Sequence, residues 1–476
     1  MCRGSVVFIA IGCMAALLFN GCAASYSSYL APSLNRLARE DYDGALTKIE
    51  KPDGLTNKLL YRLERGLIFH YQGEYQKSNQ EFEWAENIIE RLYTKSLSRS
   101  IASLLTNDAI IAYSGEEFER VMIHYYRAMN YERLGDRQSV LVECRKANLK
   151  LAKYSQRSEY ELSYRNDAFL QYMTGMFFEA EGELNDAYVS YRLAEKGYKA
   201  YANSFNTPMP RMLILDLVRL AERLGYKDDV IDYENRYSLK EEETGKPAID
   251  DIVVFVEVGF VPRKHQIEFE LPIYEEDRGL PVWMVSDRAR SRFRYSGTYR
   301  RSSVDYWLRV ALPEYHDRMT PRLSVRVSNR EESFNGVIVE DLEAIARKAL
   351  VEKYDHILLR TIARNISKYM ASKAIEKAIT NSDDDEDKNE DVRRGMGTLF
   401  GWLFNIFGSN IEAADTRNWL SLPRQIYVVR LPGESKSSAI KIELLDSSGR
   451  VVKVKEVSPD KRFTDGRAFV NLRIFL

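Results

Sequence analysis

The stretch from Tyr61 to Ala85, which reads YRLERGLIFHYQGEYQKSNQEFEWA, contains the pattern that decides the fold of the N-terminal half. A small residue is followed three positions later by an aromatic and four positions after that by a glycine. Small residues let two antiparallel helices approach closely, a glycine turns the chain, and aromatics fill the groove between the helices. The positions that form the pattern are Gly66, Phe69, Gly73, Tyr75, Ser78, Phe82 and Ala85.

The same spacing returns twice further along the chain, and three copies in one register predict a helical repeat. The second copy consists of Ala128, Tyr131, Gly135, Val140, Cys144 and Ala147. The third copy consists of Gly175, Phe178, Gly182, Ala187, Tyr191 and Ala194. The spacing resembles that of the tetratricopeptide repeat (TPR), a helical hairpin that stacks on its neighbours into a solenoid.

The copies are unevenly spaced, because extra helices or loops lie between them, notably from Ile88 to Phe118. We therefore predict an irregular TPR-like solenoid over residues 33–238. Such a solenoid presents a concave face that usually holds a peptide, a helix or another protein. The alternative is that this face only stacks on the domain that follows. Tyrosines are abundant here and suit wet interfaces, although helical spacing assigns most of them to packing.

The N-terminus has the layout of a secretory signal peptide. The apolar run from Val6 to Phe19 is shorter than the roughly 20 residues that cross a bilayer. The four residues Phe19-Asn20-Gly21-Cys22 resemble a bacterial lipobox, whose cysteine is acylated when the signal peptide is cleaved. We expect a signal peptide over residues 1–21, an acylated Cys22 that holds the chain on a membrane, and a tether over residues 22–32. The alternatives are an uncleaved anchor and an ordinary signal peptide.

Composition excludes some classes of partner. Lys and Arg number 69 against 70 Asp and Glu, so no overall field attracts nucleic acid.

Of the four cysteines, Cys2 and Cys13 leave with the signal peptide and Cys22 carries the lipid. Cys144 then remains alone, so we expect no internal disulfide and a buried, inert thiol.

The sequence changes period after Pro247, and runs such as the one from Asp251 to Gly259 predict strands. We therefore predict a β domain over residues 248–335. Within it four arginines alternate with other residues, so on a strand they would share one face. They could contact anionic groups of the envelope or of a partner, or form a solvated edge that discourages aggregation. These arginines are Arg288, Arg290, Arg292 and Arg294.

Residues 336–410 are predicted to be mainly helical, with one helix from Leu342 to Lys353 and another from Ile357 to Ile379. An acidic disordered loop is expected over residues 381–394, without the glycine and terminal glutamate of a calcium-binding loop.

Two apolar or alternating segments complete the chain. The stretch from Met396 to Phe407 either packs beside the preceding helix or lies against lipid or a partner. Residues 411–476 alternate again, and they are predicted to form a C-terminal β module that is partly fused to the earlier β domain.

No pattern in the sequence predicts catalysis. The five histidines have no paired metal-ligand spacing, and the chain has neither a glycine-rich phosphate loop nor a nucleophile elbow. We therefore expect no enzyme activity, no metal and no cofactor. The histidines are His70, His124, His265, His316 and His356.

Several short segments, taken in order, resemble a little-characterised family of bacterial TPR-containing outer-membrane lipoproteins. They are Cys22 with its lipobox, Tyr61 to Gly66, Glu143 to Asn148, Val339 to Asp341, Arg360 to Arg364, and Ala414 to Pro423. The resemblance covers nearly the whole chain. It implies a lipid-anchored protein of the outer membrane that faces the periplasm, and it implies no activity and no functional residue.

The fold class predicted is α+β, with an irregular TPR-like α-solenoid followed by a β-rich domain with inserted helices. The function predicted is a membrane-anchored scaffold for a periplasmic protein, such as a cell-wall synthesis enzyme or an envelope assembly factor; this step is analogy. An alternative is an envelope glycan- or lipid-binding protein that uses Trp419 and the arginine row, and a third is a hydrolase. A scaffold predicts an exposed apolar groove, a glycan binder exposed aromatics, and an enzyme a closed pocket with buried carboxylates.

Overall fold

A computed structural model gives the structure of the chain. It describes residues 25–52, 56–96, 111–157, 167–240, 250–274, 284, 287, 304–316, 322–329, 332–380, 413–433, 439–457 and 466–476. Cys22, the four alternating arginines, the acidic loop and the apolar stretch from Met396 to Phe407 lie outside the described residues.

The N-terminal part consists of helices that pair into hairpins. They are α1 (Tyr26–Leu37), α2 (Tyr42–Leu46), α3 (Lys58–Gln72), α4 (Tyr75–Ser96), α5 (Glu117–Leu134), α6 (Arg137–Arg157), α7 (Ala168–Ala180), α8 (Leu184–Ser204), α9 (Arg211–Leu224) and α10 (Lys227–Tyr237). From α3 onward each helix packs against the next, so the hairpins α3–α4, α5–α6, α7–α8 and α9–α10 stack in chain order. This is the predicted solenoid.

Glycines set the geometry of the hairpins in two ways. Gly73 and Gly135 end α3 and α5 in the left-handed region, with φ of 85° and 73°, where a side chain is disfavoured. Gly175 of α7 lies against the Tyr191 ring of α8, and a Cβ on it would be 2.4 Å from that ring. The spacing in the sequence therefore reflects turns and close helix contacts.

The C-terminal part is β-rich. Its strands are β1 (Asp251–Val258), β2 (Lys264–Tyr274), β3 (Val304–Tyr315), β4 (Ser324–Ser328), β5 (Ser333–Asn335), β6 (Val337–Asp341), β7 (Gln425–Pro432), β8 (Ile440–Leu445), β9 (Val451–Val457) and β10 (Ala468–Ile474). Sheet A has the order β10-β1-β7-β6, sheet B pairs β2 with β3, and sheet C has the order β5-β4-β8-β9. The predicted fold class, a TPR-like helical region followed by a β-rich region with an inserted helix, is confirmed.

Sheet A is the middle layer of the molecule. Its central strand β1 pairs in parallel with β10 and antiparallel with β7. Because side chains alternate along a strand, Val253 and Phe255 join the core shared with the helices. Ile252, Val254 and Val256 join a second core with sheet C. The order of layers is therefore solenoid, sheet A and sheet C.

One helix, α11 (Leu342–Thr380), replaces the two helices predicted between residues 342 and 379. No glycine or proline stands between Lys353 and Ile357, so nothing in the backbone ends the helix there. Leu358 and Ile362 of α11 pack on sheet B. The helix begins at Leu342 as predicted, and β-branched residues at 337–339 form strand β6 before it.

Strands from the two predicted β segments share their sheets. Sheet A combines β1, from the segment 248–335, with β7 and β10, from the segment 411–476. Sheet C likewise combines β4 and β5 with β8 and β9. The exact domain boundaries remain a prediction, but the described strands of these two segments form joint sheets.

Candidate functional site

The surface from which a TPR solenoid is expected to bind is here covered by the chain itself. We define the inner face as the sheet-facing surface of α3, α5, α7 and α9, the first helix of each hairpin. Phe177 lies 4.0 Å from Phe469 of β10, and Phe169 lies 5.6 Å from Phe255 of β1, measured between ring centroids. All four rings are buried. The inner face is therefore part of the core.

An extended segment also lies along the inner face. Residues 413–424, which we name the strap, contain neither helix nor strand and lead directly into β7. Trp419 of the strap is fully buried, with its ring 5.8 Å from Phe82 and 6.0 Å from Tyr126 between centroids. Its Nε1 donates to Ser421 Oγ at 3.0 Å. The strap thus contacts the solenoid as a bound peptide would.

Two buried glutamates of the solenoid accept hydrogen bonds from the strap backbone. Glu119 of α5 accepts from the Trp419 N–H at 2.7 Å. Glu64 of α3 accepts from the N–H groups of Leu420 and Ser421, at 2.9 Å and 3.2 Å. These bonds satisfy backbone donors that have no strand partner, so they fix the path of the strap.

The two glutamates also have perturbed acidity. Burial raises the pKa of Glu64 to about 8, against the opposing effect of the Ser421 and Leu420 donors. Burial and the neighbouring Glu116 raise the pKa of Glu119 above its ordinary value. At neutral pH the Glu64 carboxyl is mostly protonated, because its pKa exceeds the pH.

Arg417 joins the strap to the loops of the solenoid. Its guanidinium donates to the carbonyl oxygens of Thr56 at 3.1 Å and Ile111 at 2.9 Å, and it pairs with Asp415 at 2.8 Å. It also lies over the Tyr113 ring, 5.3 Å from the centroid. Charge-assisted bonds of this kind are stronger than neutral ones, so Arg417 holds the N-terminal end of the strap.

Glu257 of β1 is the centre of a buried polar cluster between sheet A and the solenoid. It accepts from the hydroxyl of Tyr125 at 2.8 Å, from that of Tyr126 at 3.2 Å, and from that of Tyr71. Arg473 of β10 lies 3.5 Å from its carboxylate. Burial and the Glu257 charge raise the pKa of Tyr125 well above the usual range. The tyrosine hydroxyls therefore stay protonated and donate.

A second buried cluster joins α9 to β7. Arg430 of β7 donates to Asp216 of α9 at 2.8 Å, and Arg219 lies 2.7 Å from the same carboxylate. Although burial opposes ionisation, the two guanidinium groups hold the pKa of Asp216 well below its usual range. Asp216 is thus a buried, ionised carboxylate whose charge is matched by two cations.

These clusters hold elements of the solenoid and of the sheets together. Their carboxylates are engaged by backbone, hydroxyl or guanidinium donors. Within the described ranges no group of three or more His, Cys, Asp or Glu side chains is arranged to hold a metal ion. His265 and His316, which are far apart in sequence, are nevertheless neighbours, with rings 4.4 Å apart at the paired ends of β2 and β3.

The opposite surface of the solenoid carries exposed apolar side chains. We define the outer face by four residues of the second helices: Val142 and Leu149 of α6, Val189 of α8 and Ile231 of α10. Leu149 is 70% exposed, Val189 57% and Ile231 56%. Val142 and Val189 each follow their turn glycine, Gly135 and Gly182, by the same number of residues. Ile231 follows its turn glycine, Gly225, by six residues, so the outer face repeats at the same position only in α6 and α8.

The structure places the predicted repeat positions within the hairpins. The turn residues Gly73, Gly135 and Gly182 have positive φ, and Gly66 and Gly175 contact the rings of Phe82 and Tyr191. The residues that are buried are Gly66, Ser78, Phe82, Ala85, Ala128, Val140, Cys144, Ala147, Gly175, Phe178, Ala187, Tyr191 and Ala194. Phe69, Tyr75 and Tyr131 are half-buried.

Two expectations about exposed groups are corrected. Trp419, considered as a glycan contact, is buried, because the strap carries it into the core. The tyrosine-rich groove is not open, because sheet A and the strap cover Tyr125 and Tyr126. Sequence periodicity identified these residues as packing or interface positions, but it could not show that the other side of the contact is the same chain.

The helices that the structure describes include none that is long and apolar enough to cross a membrane.

No family model matches the sequence, and no curated protein matches it. Two solved structures are similar to part of it. The crystal structure of MamA protein is 13% identical, covers 44% of this chain and 94% of that chain, and has a TM-score of 0.27. The crystal structure of PilW, titled a widely conserved type IV pilus biogenesis factor, is 15% identical, with 44% and 93% covered and a TM-score of 0.21. At this level of sequence identity and TM-score, the structural similarity gives no information about the partner or the activity of this protein.

Proposed function

We propose that this protein is a lipid-anchored, non-enzymatic scaffold of the bacterial outer membrane that faces the periplasm. The lipobox at Cys22 supports the anchor, and the stacked hairpins support a protein-binding role. The partner we propose, by analogy with other TPR lipoproteins, is a cell-wall synthesis enzyme or an envelope assembly factor.

The observation that carries the proposal is the outer face. Val142, Val189 and Ile231 expose large apolar side chains on successive second helices. Single exposed apolar residues are ordinary on protein surfaces, whereas exposed apolar residues on each of three second helices support an interaction surface. An apolar surface of this kind suits a protein partner that lies across several hairpins.

The inner face is not available to a partner in this arrangement. Freeing it would uncover Trp419 and separate Asp216 from Arg430, and breaking a single buried ion pair typically costs about 3–5 kcal/mol. A partner that bound there would have to repay this cost before gaining affinity. The scaffold that we propose therefore binds with its outer face and uses its inner face to fix its own β sheets.

Photocrosslinking in cells tests the site of binding. A photoreactive amino acid placed at Val142, Val189 or Ile231 is expected to capture one envelope protein. The same group at Ser448, an exposed residue in the turn between β8 and β9, is the control. Capture of the same protein equally well from Ser448, or capture of none from the three outer positions, would count against an outer-face scaffold.

The anchor is tested separately. The chain with Cys22→Ala cannot be acylated, so it is expected to move from the membrane fraction to the soluble periplasmic fraction. The crosslinked partner should be recovered in lower yield, because the two proteins no longer share a surface. A variant that stays in the membrane fraction would contradict anchoring through Cys22.

The glycan-binding alternative receives less support. Trp419 is buried, and the arginine row lies outside the described residues. The lipid-binding half of that alternative is supported by a pocket whose lining includes Arg263, Lys264, Arg347 and Arg424.

A further inference from the structure

A pocket of about 490 Å³ opens where α1, the start of α11 and the connection between β1 and β2 meet. This volume is within the range of about 300–1,000 Å³ that is typical of small-ligand sites. One part of its lining is apolar and consists of Phe260, Val261 and Pro262. The polar lining is mostly cationic and includes Arg263, Lys264, Arg347 and Arg424.

The only carboxylate among the lining residues of this pocket is Glu343. It lies 3.0 Å from Arg347 and 3.9 Å from Arg424, so two guanidinium groups share one negative charge. Lys264 is matched by Glu116, which lies 2.8 Å away and outside the lining. Arg263 is exposed and has no ion pair among the described residues. The lining itself therefore carries more positive than negative charge, which favours an anion.

Two histidines add polar groups at the rim. His265 and His316 both line the pocket, and their Nδ1 atoms lie 3.3 Å apart, so one ring donates to the other. Glu314 lies 3.2 Å from His265 Nε2 and faces the same ring. Both ring nitrogens of His265 are thus engaged, so the N–H groups for phosphate oxygens come from the cationic side chains of the lining, Arg263 among them.

The pocket is also near the predicted anchor. Ser27, in the first turn of α1, lines it and follows Cys22 by five residues. An extended chain spans at most about 3.6 Å per residue, so Cys22 is within about 18 Å of Ser27 whatever the path between them. If Cys22 is acylated, the pocket is held close to the headgroups of the membrane.

We propose that this pocket binds the phosphate of an anionic phospholipid headgroup, with the apolar lining against the glycerol backbone. The proposal rests on the proposed function in that the anchor brings the pocket to the membrane. The cationic side chains would bind the phosphate group of a lipid and that of a free phosphate ester alike. The apolar residues beside them favour the lipid.

Vesicle binding by the unacylated protein tests the pocket without the anchor. The probe protein is the mature chain from residue 22 with Cys22→Ser, and the vesicles are phosphatidylcholine alone or mixed with phosphatidylglycerol. We expect binding to the mixed vesicles only, weakened about fivefold by Arg263→Gln and about 25-fold by Arg263→Glu, because one basic residue near an anionic surface contributes about that factor. Arg263 is exposed, so neither change is expected to unfold the protein.

Arg450 provides the matched control, since it is 83% exposed in the turn between β8 and β9 and does not line the pocket. Arg450→Gln should leave vesicle binding unchanged. Equal binding by all variants, an equal loss with Arg450→Gln, or equal binding to phosphatidylcholine alone would overturn the proposal.

A soluble arm identifies the source of the phosphate. Glycerol 1-phosphate should compete only weakly with the mixed vesicles. If it binds with the same dependence on Arg263 while the vesicles do not bind, the lipid proposal is overturned in favour of a soluble phosphate ester. The vesicle tests and the acylation test are independent of each other. A negative vesicle result does not bear on whether Cys22 is acylated, and a lack of acylation in cells does not bear on the vesicle result.

Discussion

Gly175 and Tyr191 lie so close that the hairpin α7–α8 has no room for one more methyl group. An added Cβ would be 2.4 Å from the Tyr191 ring, and the Tyr191 hydroxyl is held by Glu179 at 2.7 Å. Overpacking a core of this kind costs about 1–3 kcal/mol, and we expect Gly175→Ala to lower the free energy of unfolding by that amount. Urea denaturation measures it.

The control for this prediction is Gly182→Asn in the turn of the same hairpin. Nothing lies within 4 Å of a Cβ at Gly182, and asparagine tolerates its positive φ. A loss with Gly182→Asn as large as that with Gly175→Ala would show that the ring contact is not the cause.

Glu64 gives the protein a pH dependence of definite sign. Its pKa is about 8 in the folded chain against an ordinary 4.5, so between these values the folded state binds more protons than the unfolded state. The free energy of unfolding therefore falls as pH rises through this window, by up to about 1.4 kcal/mol per pH unit. Glu64→Gln removes this titration, and urea denaturation at several pH values should give a flatter profile. A profile parallel to that of the unmodified protein would refute the assignment.

The sequence predicts local contacts well and distant ones poorly at this scale. Gly66 and Phe82 belong to one hairpin, so their spacing along the chain already indicates their contact. Glu64 lies in the same hairpin, but its partners Leu420 and Ser421 are in the strap. A glutamate on a helix gives no sign of which backbone it will meet, so the strap contacts could not be predicted.

The strap is the element that joins the two halves of the fold, and Trp419 is its main apolar contact. Its side chain is completely buried. Truncating a buried tryptophan costs about 3–5 kcal/mol, because transfer energy is lost and a cavity remains. We expect Trp419→Ala to lower the free energy of unfolding by this amount in urea denaturation.

Trp307 of β3 serves as the comparison, since it is 54% exposed. Trp307→Ala should cost much less, because little of its surface leaves water on folding. If both substitutions cost the same, Trp419 is not the contact that fixes the strap.

The ion pair between α9 and β7 should behave differently from an apolar contact. Asp216→Asn leaves Arg430 buried beside a neutral group, and the expected loss is about 3–5 kcal/mol. Adding Arg430→Met to Asp216→Asn should recover part of this loss, because no buried charge is then left without its main partner. Chemical denaturation of the single and double variants gives the coupling. Equal stability of the two variants would mean that Arg430 carries no charge penalty.

At the scale of the whole molecule, the shared core leads us to expect that the solenoid and the sheets fold as one unit. A protease site inserted between Lys240 and Asp250 should be cut without separating the two pieces, which we expect to elute together in size-exclusion chromatography and to part only in denaturant. The solenoid piece expressed alone should aggregate, because Phe169 and Phe177 of its inner face would be uncovered. A soluble, monomeric solenoid piece would contradict this.

The layering of the molecule could be predicted only in part. The β-branched apolar run from Asp251 to Gly259 predicted a strand, and the burial of every residue from Ile252 to Val258 shows that both faces of this strand are covered. The partners of β1 could not be read from the sequence, since pairing with β7 and β10 depends on contacts between distant segments. The sequence thus predicted that the two β segments are partly fused, but it did not show which strands pair.

The parallel pairing of β1 with β10 has a consequence for biogenesis. A ribosome makes the solenoid first, yet the sheet that covers its inner face requires Ala468 to Ile474. Until those residues have emerged, nascent chains carry uncovered aromatic surface and cannot finish folding, since contacts between distant segments form late. The order of synthesis thus delays the completion of sheet A, and with it the burial of the inner face, until nearly the whole of this sequence has been made.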